Sequence, residues 1–206
     1  MTALLRMLLA GLALSLAAVS AGVGAAEDLA TALVRDTSER MLAVLEKRRA
    51  EIDRNPSLIY ALVEDIVLPH FDFDRITQSA VGRHWRDASP GQREALVKGF
   101  RQVLVRTYAR ALLGYSGEEV RYLPVRPGRQ ADSVTVSTEI RGRGSPPIPI
   151  DYRLYRKGGA WKVYDVVVDN VSLVSNYRSS FAAQVRQGGI DGLIARLAEM
   201  NTRGQE

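Results

Sequence analysis

The chain holds no cysteine. That absence excludes thiolate catalysis, thiolate metal sites, disulfide staples and a lipidated cysteine at the N-terminus. Histidine is nearly as scarce, with His70 and His84 the only imidazoles. Aromatic residues make up 7% of the 206 residues, including 2 Trp and 4 Phe. The apolar run from Met7 to Val19 has 13 residues, too few to span a bilayer comfortably, and a polytopic membrane protein is excluded.

What is present has globular proportions: 46% hydrophobic and 25% charged residues, which fit neither a disordered chain nor a fibrous repeat. The first residues have the three-part pattern of an export signal. Arg6 gives a positive start, the apolar run follows, and Ala21 to Ala26 supplies small residues for cleavage after Ala25 or Ala26. The expected organisation is a signal peptide over 1–26 and a single domain over 27–206, 206 − 26 = 180 residues long. Removing Arg6 takes the formal charge from +5 to 27 − 23 = +4, enough for weak attraction to anionic surfaces but not enough to choose among them.

The first half has helical periodicity. Leu29, Leu33, Met41, Val44, Leu45 and Ile52 predict a helix, and Asn55-Pro56 predicts a capped restart running through Leu62 and Ile66 to Pro69. Asp72 or Asp74 is expected to cap a short helix ending near Gly82. Ser89-Pro90-Gly91-Gln92 is a capping box, and Leu96, Phe100, Val103, Leu104, Tyr108, Ala111 and Leu112 are expected along one face of the helix that follows, with Gly114 as its stop.

The second half alternates instead. Val120 to Val125, Ser133 to Arg141, Ile150 to Lys157 and Ala160 to Asp169 predict an antiparallel meander, with Gly158-Gly159 as a two-residue hairpin turn. Val134, Val136 and Ile140 share one face, as do Ile150, Tyr152 and Leu154. Strict alternation over the last strand puts Trp161, Val163 and Val167 on one face and Tyr164, Val166 and Val168 on the other. A strand apolar on both faces needs two covering layers. Helices return from Ser175, break at Gly188-Gly189, and resume from Ile190 to Met200.

The run W-K-V-Y-D-V-V-V-D-N-V-S-L-V-S-N-Y-R-S-S-F from Trp161 to Phe181 resembles the signature of the MlaC, or toluene-tolerance, family. Leu68-Pro69-His70-Phe71-Asp72-Phe73, Gly82 to Arg86, Gln92 to Ala109 and Gly189 to Ile194 resemble other family segments in the same order. The chain departs from the pattern at Asn170, where the family has glycine, and at Ser180, where it has glutamine. Asn is the side chain best suited to replace glycine in a left-handed turn.

The resemblance implies an α+β fold: a twisted antiparallel sheet of about four to five strands, wrapped by N-terminal and C-terminal helices around an apolar lipid cavity. It implies a periplasmic carrier of phospholipid that works between an outer-membrane lipoprotein–porin complex and an inner-membrane ABC transporter with MCE-type subunits, and so maintains outer-membrane lipid asymmetry. Neither enzyme activity, a cofactor nor a metal is implied. The expected lining is Tyr108, Leu112, Val134, Val136, Ile140, Tyr152, Leu154, Val166, Val168, Leu173, Tyr177 and Phe181.

Other readings stay open beside it. One family branch accompanies hopanoid biosynthesis, so the cargo can be a hopanoid or another apolar lipid. An enzyme on the same scaffold would use Asp165 or Tyr164 as acid or base. His70, Asp72 and Asp74 alternate as metal ligands do, although helix capping is the simpler role for the aspartates. Arg141, Arg143, Arg153 and Arg156 resemble a nucleic-acid patch, which export from the cytoplasm disfavours. Arg178 is expected to pair with Asp165 or Asp169, or with a lipid phosphate.

Overall fold

The computed structural model describes residues 29–203, apart from 129, 131, 143 and 145; the expected export signal lies outside the described residues. Helices and an antiparallel sheet divide the chain near its middle, as the change of period predicts. Helix α1 covers 29–47. It is followed by α2 (Arg49–Arg54), α3 (Leu58–Ile66), α4 (Phe73–Val81) and α5 (Pro90–Ala109), with short 3-10 turns at Leu68–His70, Gly82–Arg86 and Arg110–Gly114. The strands are β1 (Glu119–Tyr122), β2 (Arg126–Pro127), β3 (Ser133–Arg141), β4 (Ile148–Lys157), β5 (Ala160–Val168) and β6 (Val171–Ser172), and α6 (Leu173–Arg203) closes the chain.

Capping chemistry sets several of these boundaries. Ser89 Oγ accepts from Gln92 N while Gln92 Oε1 accepts from Ser89 N, and Pro90 fills the first helical position, where its missing donor costs nothing. Asp72 Oδ1 accepts from Arg75 N at the start of α4. Asn55 does not cap α3 as predicted. Its carboxamide oxygen instead accepts from Ser57 Oγ at 2.6 Å, and α3 starts three residues later than Asn55 without a side-chain cap. The first predicted helix is interrupted by a turn at Arg48. Gly189, at φ 68°, kinks α6 where the Gly-Gly pair predicts a break.

Helix α5 has two buried faces rather than one. Leu96, Phe100, Val103 and Leu104 pack with α4 and α6, while Val105 and Ala109 turn toward α1 and α3. Tyr108 and Ala111, predicted on the buried face, are exposed. The core accordingly forms three clusters. One joins α4, α5 and α6; a second joins the end of α1 with α2, α3 and the end of α5. The third sets Ala30 and Val34 of α1 against Val134, Val136, Leu154, Trp161 and Val163 of the sheet.

The sheet runs β1-β3-β4-β5-β6, every pair antiparallel, with β2 on the free part of β3. Gly158 and Gly159 have φ of +58° and +84°, the mirror-image turn that matches strand twist. Asp169 and Asn170, at φ 48° and 65°, make a second two-residue connection, so Asn170 does take the left-handed conformation.

The alternation expected for β5 fails at one residue. Val163 pairs with Leu154, but Asp165 pairs with Arg153 and Val166 with Tyr152, leaving Tyr164 as the extra residue of a bulge. Parity inverts there. Trp161, Val163, Val166 and Val168 therefore share a face, and Val167 lies on the opposite one with Asp165.

Candidate functional site

The register gives the sheet one aliphatic and one polar face. Across the aliphatic face run Val134, Val136, Thr138 and Ile140 of β3, Ile148, Ile150, Tyr152 and Leu154 of β4, and Trp161, Val163, Val166 and Val168 of β5. Near the Gly158-Gly159 hairpin this face is closed: Val136 and Leu154 have no exposed area and Trp161 and Val163 are buried beneath α1. Toward the other end it opens. Tyr152, Val166, Val168, Ile150 and Ile140 are half-buried, and Ile148 is 48% exposed.

Tyr152 sits where the closed and open parts meet. Burial, then the neighbouring Tyr122, push its phenol up to about 12, although a hydrogen bond with Thr138 works the other way. The cause is the cost of placing a phenolate in hydrocarbon. Phe71 joins this face from outside the strands: it bridges to Val163 in parallel, and Asp72 N donates to Val163 O at 2.9 Å. Its ring packs against both the sheet cluster and the α4–α6 cluster. The alternation of Phe71, Asp72 and Phe73 was the available signal for this short extended edge.

The polar face is fastened to helix N-termini by two buried aspartates. Asp72 accepts from Lys157 Nζ at 2.8 Å, from the Tyr155 hydroxyl and from Arg75 N, and Arg75 stacks over the rings of Tyr155 and Tyr164 at 3.7 and 4.7 Å. Burial disfavours its charge, but Lys157, Tyr155 and the Arg75 amide together outweigh that and hold the carboxyl below its ordinary range. Asp165 accepts from Arg153 Nη1 at 2.8 Å, Ser172 Oγ at 2.7 Å and Val174 N at 3.2 Å in the first turn of α6. Each carboxylate therefore ties a helix N-terminus to a cation on β4, a favourable end for negative charge.

The predicted lining residues are distributed over the molecule. Val134, Val136, Tyr152, Leu154 and Val166 meet in the sheet cluster, with Ile140 and Val168 farther along the same face. Leu112 packs in the α1–α3 cluster. Tyr177 and Phe181 belong to the α4–α6 cluster, where each meets Phe100 at a ring separation of 4.9 Å. Leu173 is half-buried at the start of α6, and Tyr108 is 36% exposed. Ile148, Trp161 and Val163 share the aliphatic face without having been among the expected lining, and Ala30, Leu33 and Val34 cover the sheet.

Two concavities open elsewhere on the surface. A groove of about 540 Å³ lies between Trp85, Pro90, Val97 and the side chains of Arg93, Lys98 and Arg101. Another of about 450 Å³ lies on the polar face around Leu123, Ser137, Pro149, Asp151 and Asn170. Neither is lined by the predicted residues.

The sharper chemical readings find their residues engaged. Asp165 is occupied by its donors, and Tyr164 packs edge-on against Tyr155 with centroids 5.8 Å apart. Arg178 donates to Ser79 O at 2.9 and 2.7 Å rather than pairing with Asp165 or Asp169, so it joins α6 to α4. Arg153 pairs with Asp165 and Arg141 with Glu139. Among the described residues no cluster of His, Asp and Glu has the makings of a metal site, and no helix is long and apolar enough to cross a membrane.

An antiparallel sheet with one aliphatic face, closed by helices at one end and open at the other among the described residues, defines the α+β class of the protein. The family model described as "MlaC protein" matches residues 35–199, and the chain belongs to the MlaC family. It is similar to the toluene tolerance protein ttg2D of Pseudomonas putida, 27% identical over 162 residues covering 77% of this chain and 74% of the relative. It is 24% identical over 171 residues to the intermembrane phospholipid transport system binding protein MlaC of Haemophilus influenzae, covering 81% and 79%. A solved phospholipid-binding protein from Ralstonia solanacearum, in complex with a phospholipid, superposes with a TM-score of 0.78 at 32% identity. That match covers 85% of this chain and 98% of the relative.

Proposed function

We propose that the protein is a periplasmic carrier that holds the acyl chains of a phospholipid against the aliphatic face of its sheet. It passes the lipid between outer-membrane and inner-membrane complexes, the latter an ABC transporter with MCE-type subunits and the former a lipoprotein–porin assembly. The observation that carries the reading is the likeness, along most of both chains, to a protein solved with phospholipid bound. The export pattern of the first 26 residues supports the compartment.

The energetics set the mechanism. At ~0.8 kcal/mol per methylene, two tails with ~30 methylenes are worth ~24 kcal/mol against water. An open groove recovers only part of that, so the tails must be nearly enclosed, and release belongs at a docked partner. Here the sheet cluster and the α4–α6 cluster share Phe71 as a packing neighbour. Tails entering along Tyr152, Val166 and Val168 would replace such contacts with equivalent ones. Hydrocarbon packing is non-directional, and an acyl chain satisfies it as well as a side chain does.

Mass spectrometry of an organic extract from natively purified protein tests the reading. Near-stoichiometric glycerophospholipid is expected. A hopanoid in its place would reassign the cargo, and a lipid-free protein would overturn the carrier.

A further inference from the structure

At the end of the sheet away from the Gly158-Gly159 hairpin, Val120, Ile140, Ile148, Ile150, Val168 and Val171 lie side by side on the aliphatic face. The register joins them: Val120 opposes Ile140, Ile140 opposes Ile148, Ile150 opposes Val168, and Val168 opposes Val171. Ile148 is 48% and Val171 53% exposed, and none of the row belongs to a core cluster of the described residues. A strand position left facing water in a finished fold is normally polar, and contiguous exposed aliphatics mark a surface that something covers. The charged neighbours Glu119, Glu139, Arg141 and Asp151 alternate onto the opposite face.

We propose that this row is the mouth through which acyl tails enter and leave, an inference that rests on the carrier reading. Two features select a tail as the occupant. The row continues without a charged side chain into Val166 and Tyr152 on the same face, where the phenol is already desolvated. It also ends at a polar rim, the exposed Asp169-Asn170 turn, whose Asp169 N donates to Pro149 O at 3.0 Å. Hydrocarbon on one side and a wetted turn on the other match the two ends of a phospholipid.

The absence of cysteine makes the test clean. Val171→Cys and Ile148→Cys, each carrying a bimane fluorophore, are loaded with a phosphatidylglycerol bearing a nitroxide on one acyl chain. Emission at both sites is expected to fall at least threefold, while Glu94→Cys on α5 keeps its emission. Val171→Asp and Ile148→Asp are expected to retain bound lipid but to exchange it with phosphatidylglycerol vesicles at least tenfold more slowly. Bound lipid with undiminished emission at 148 and 171, or wild-type exchange by both aspartate variants, overturns the mouth and leaves the carrier standing. Shielding that rises with protein concentration as the mass doubles makes the row a self-association surface and likewise overturns it. If the unsubstituted protein takes up no lipid, the carrier reading falls first and the mouth with it.

Discussion

On one face of the sheet, Val134, Val136, Leu154, Trp161 and Val163 meet α1 through aliphatic packing. On the other, Asp72 and Asp165 hold the starts of α4 and α6 by hydrogen bonds and ion pairs. The contrast separates two kinds of attachment. A carboxylate that must satisfy an amide, a hydroxyl and a cation fixes position, because a small displacement leaves a buried charge without partners. Aliphatic contact fixes little, since its free energy follows area rather than direction. The polar face thus sets where the helices sit, and the aliphatic face is the one whose contacts the proposed acyl tails would replace.

The comparison is broken most directly on the aliphatic face. Val166→Glu and Val168→Glu, at half-buried positions, are expected to lose most co-purifying lipid while circular dichroism and the melting transition still report a folded protein. Unfolding with a wild-type lipid content beforehand would make those side chains core instead. On the polar face the expectation reverses. Asp165→Ala leaves Arg153, Ser172 Oγ and Val174 N without their acceptor and should cost ~3 kcal/mol in denaturant unfolding, since breaking a buried pair is expensive.

The smallest expected effects are in pH. Because the Asp72 carboxyl is held below its ordinary range, its contribution is present above that range, near pH ~4, and is lost as pH falls through it. Tyr152 acts at the other extreme. Its raised pKa means that stability present below pH ~10 is lost between there and about 12. Melting temperatures across these windows should lose part of the acid slope in Asp72→Asn and part of the alkaline slope in Tyr152→Phe.

Much of the architecture was legible because its signals are local. The Ser89–Gln92 capping box, the Gly158-Gly159 turn, the break at Gly189 and the left-handed Asn170 each depend on residues within a turn of one another. The attachments were not legible in the same way. Lys157 reaches Asp72 across 85 positions, and nothing near either residue announces the pairing. The aspartates at 72 and 165 were visible as a cap and as a candidate acid, but the register that gives each a cation on β4 is a tertiary fact. The aliphatic face was legible as alternation on β3 and β4, where polar and apolar residues contrast. It was illegible on β5, where Tyr164, Val166, Val167 and Val168 offer no contrast from which to detect a slipped period.

The slipped period has a consequence for the evolution of strand length. Tyr164 works like an inserted letter between two reading frames, with the residues before it and after it each correct for their own frame. Deleting it would leave both frames on their present faces, because Val163, Asp165 and Val166 already oppose Leu154, Arg153 and Tyr152 in unbroken order. Straightening the bulge with Tyr164 kept in the ladder is what would turn the far half over, aim the Asp165 carboxylate at the oily side and strand Val166 and Val168 among arginines.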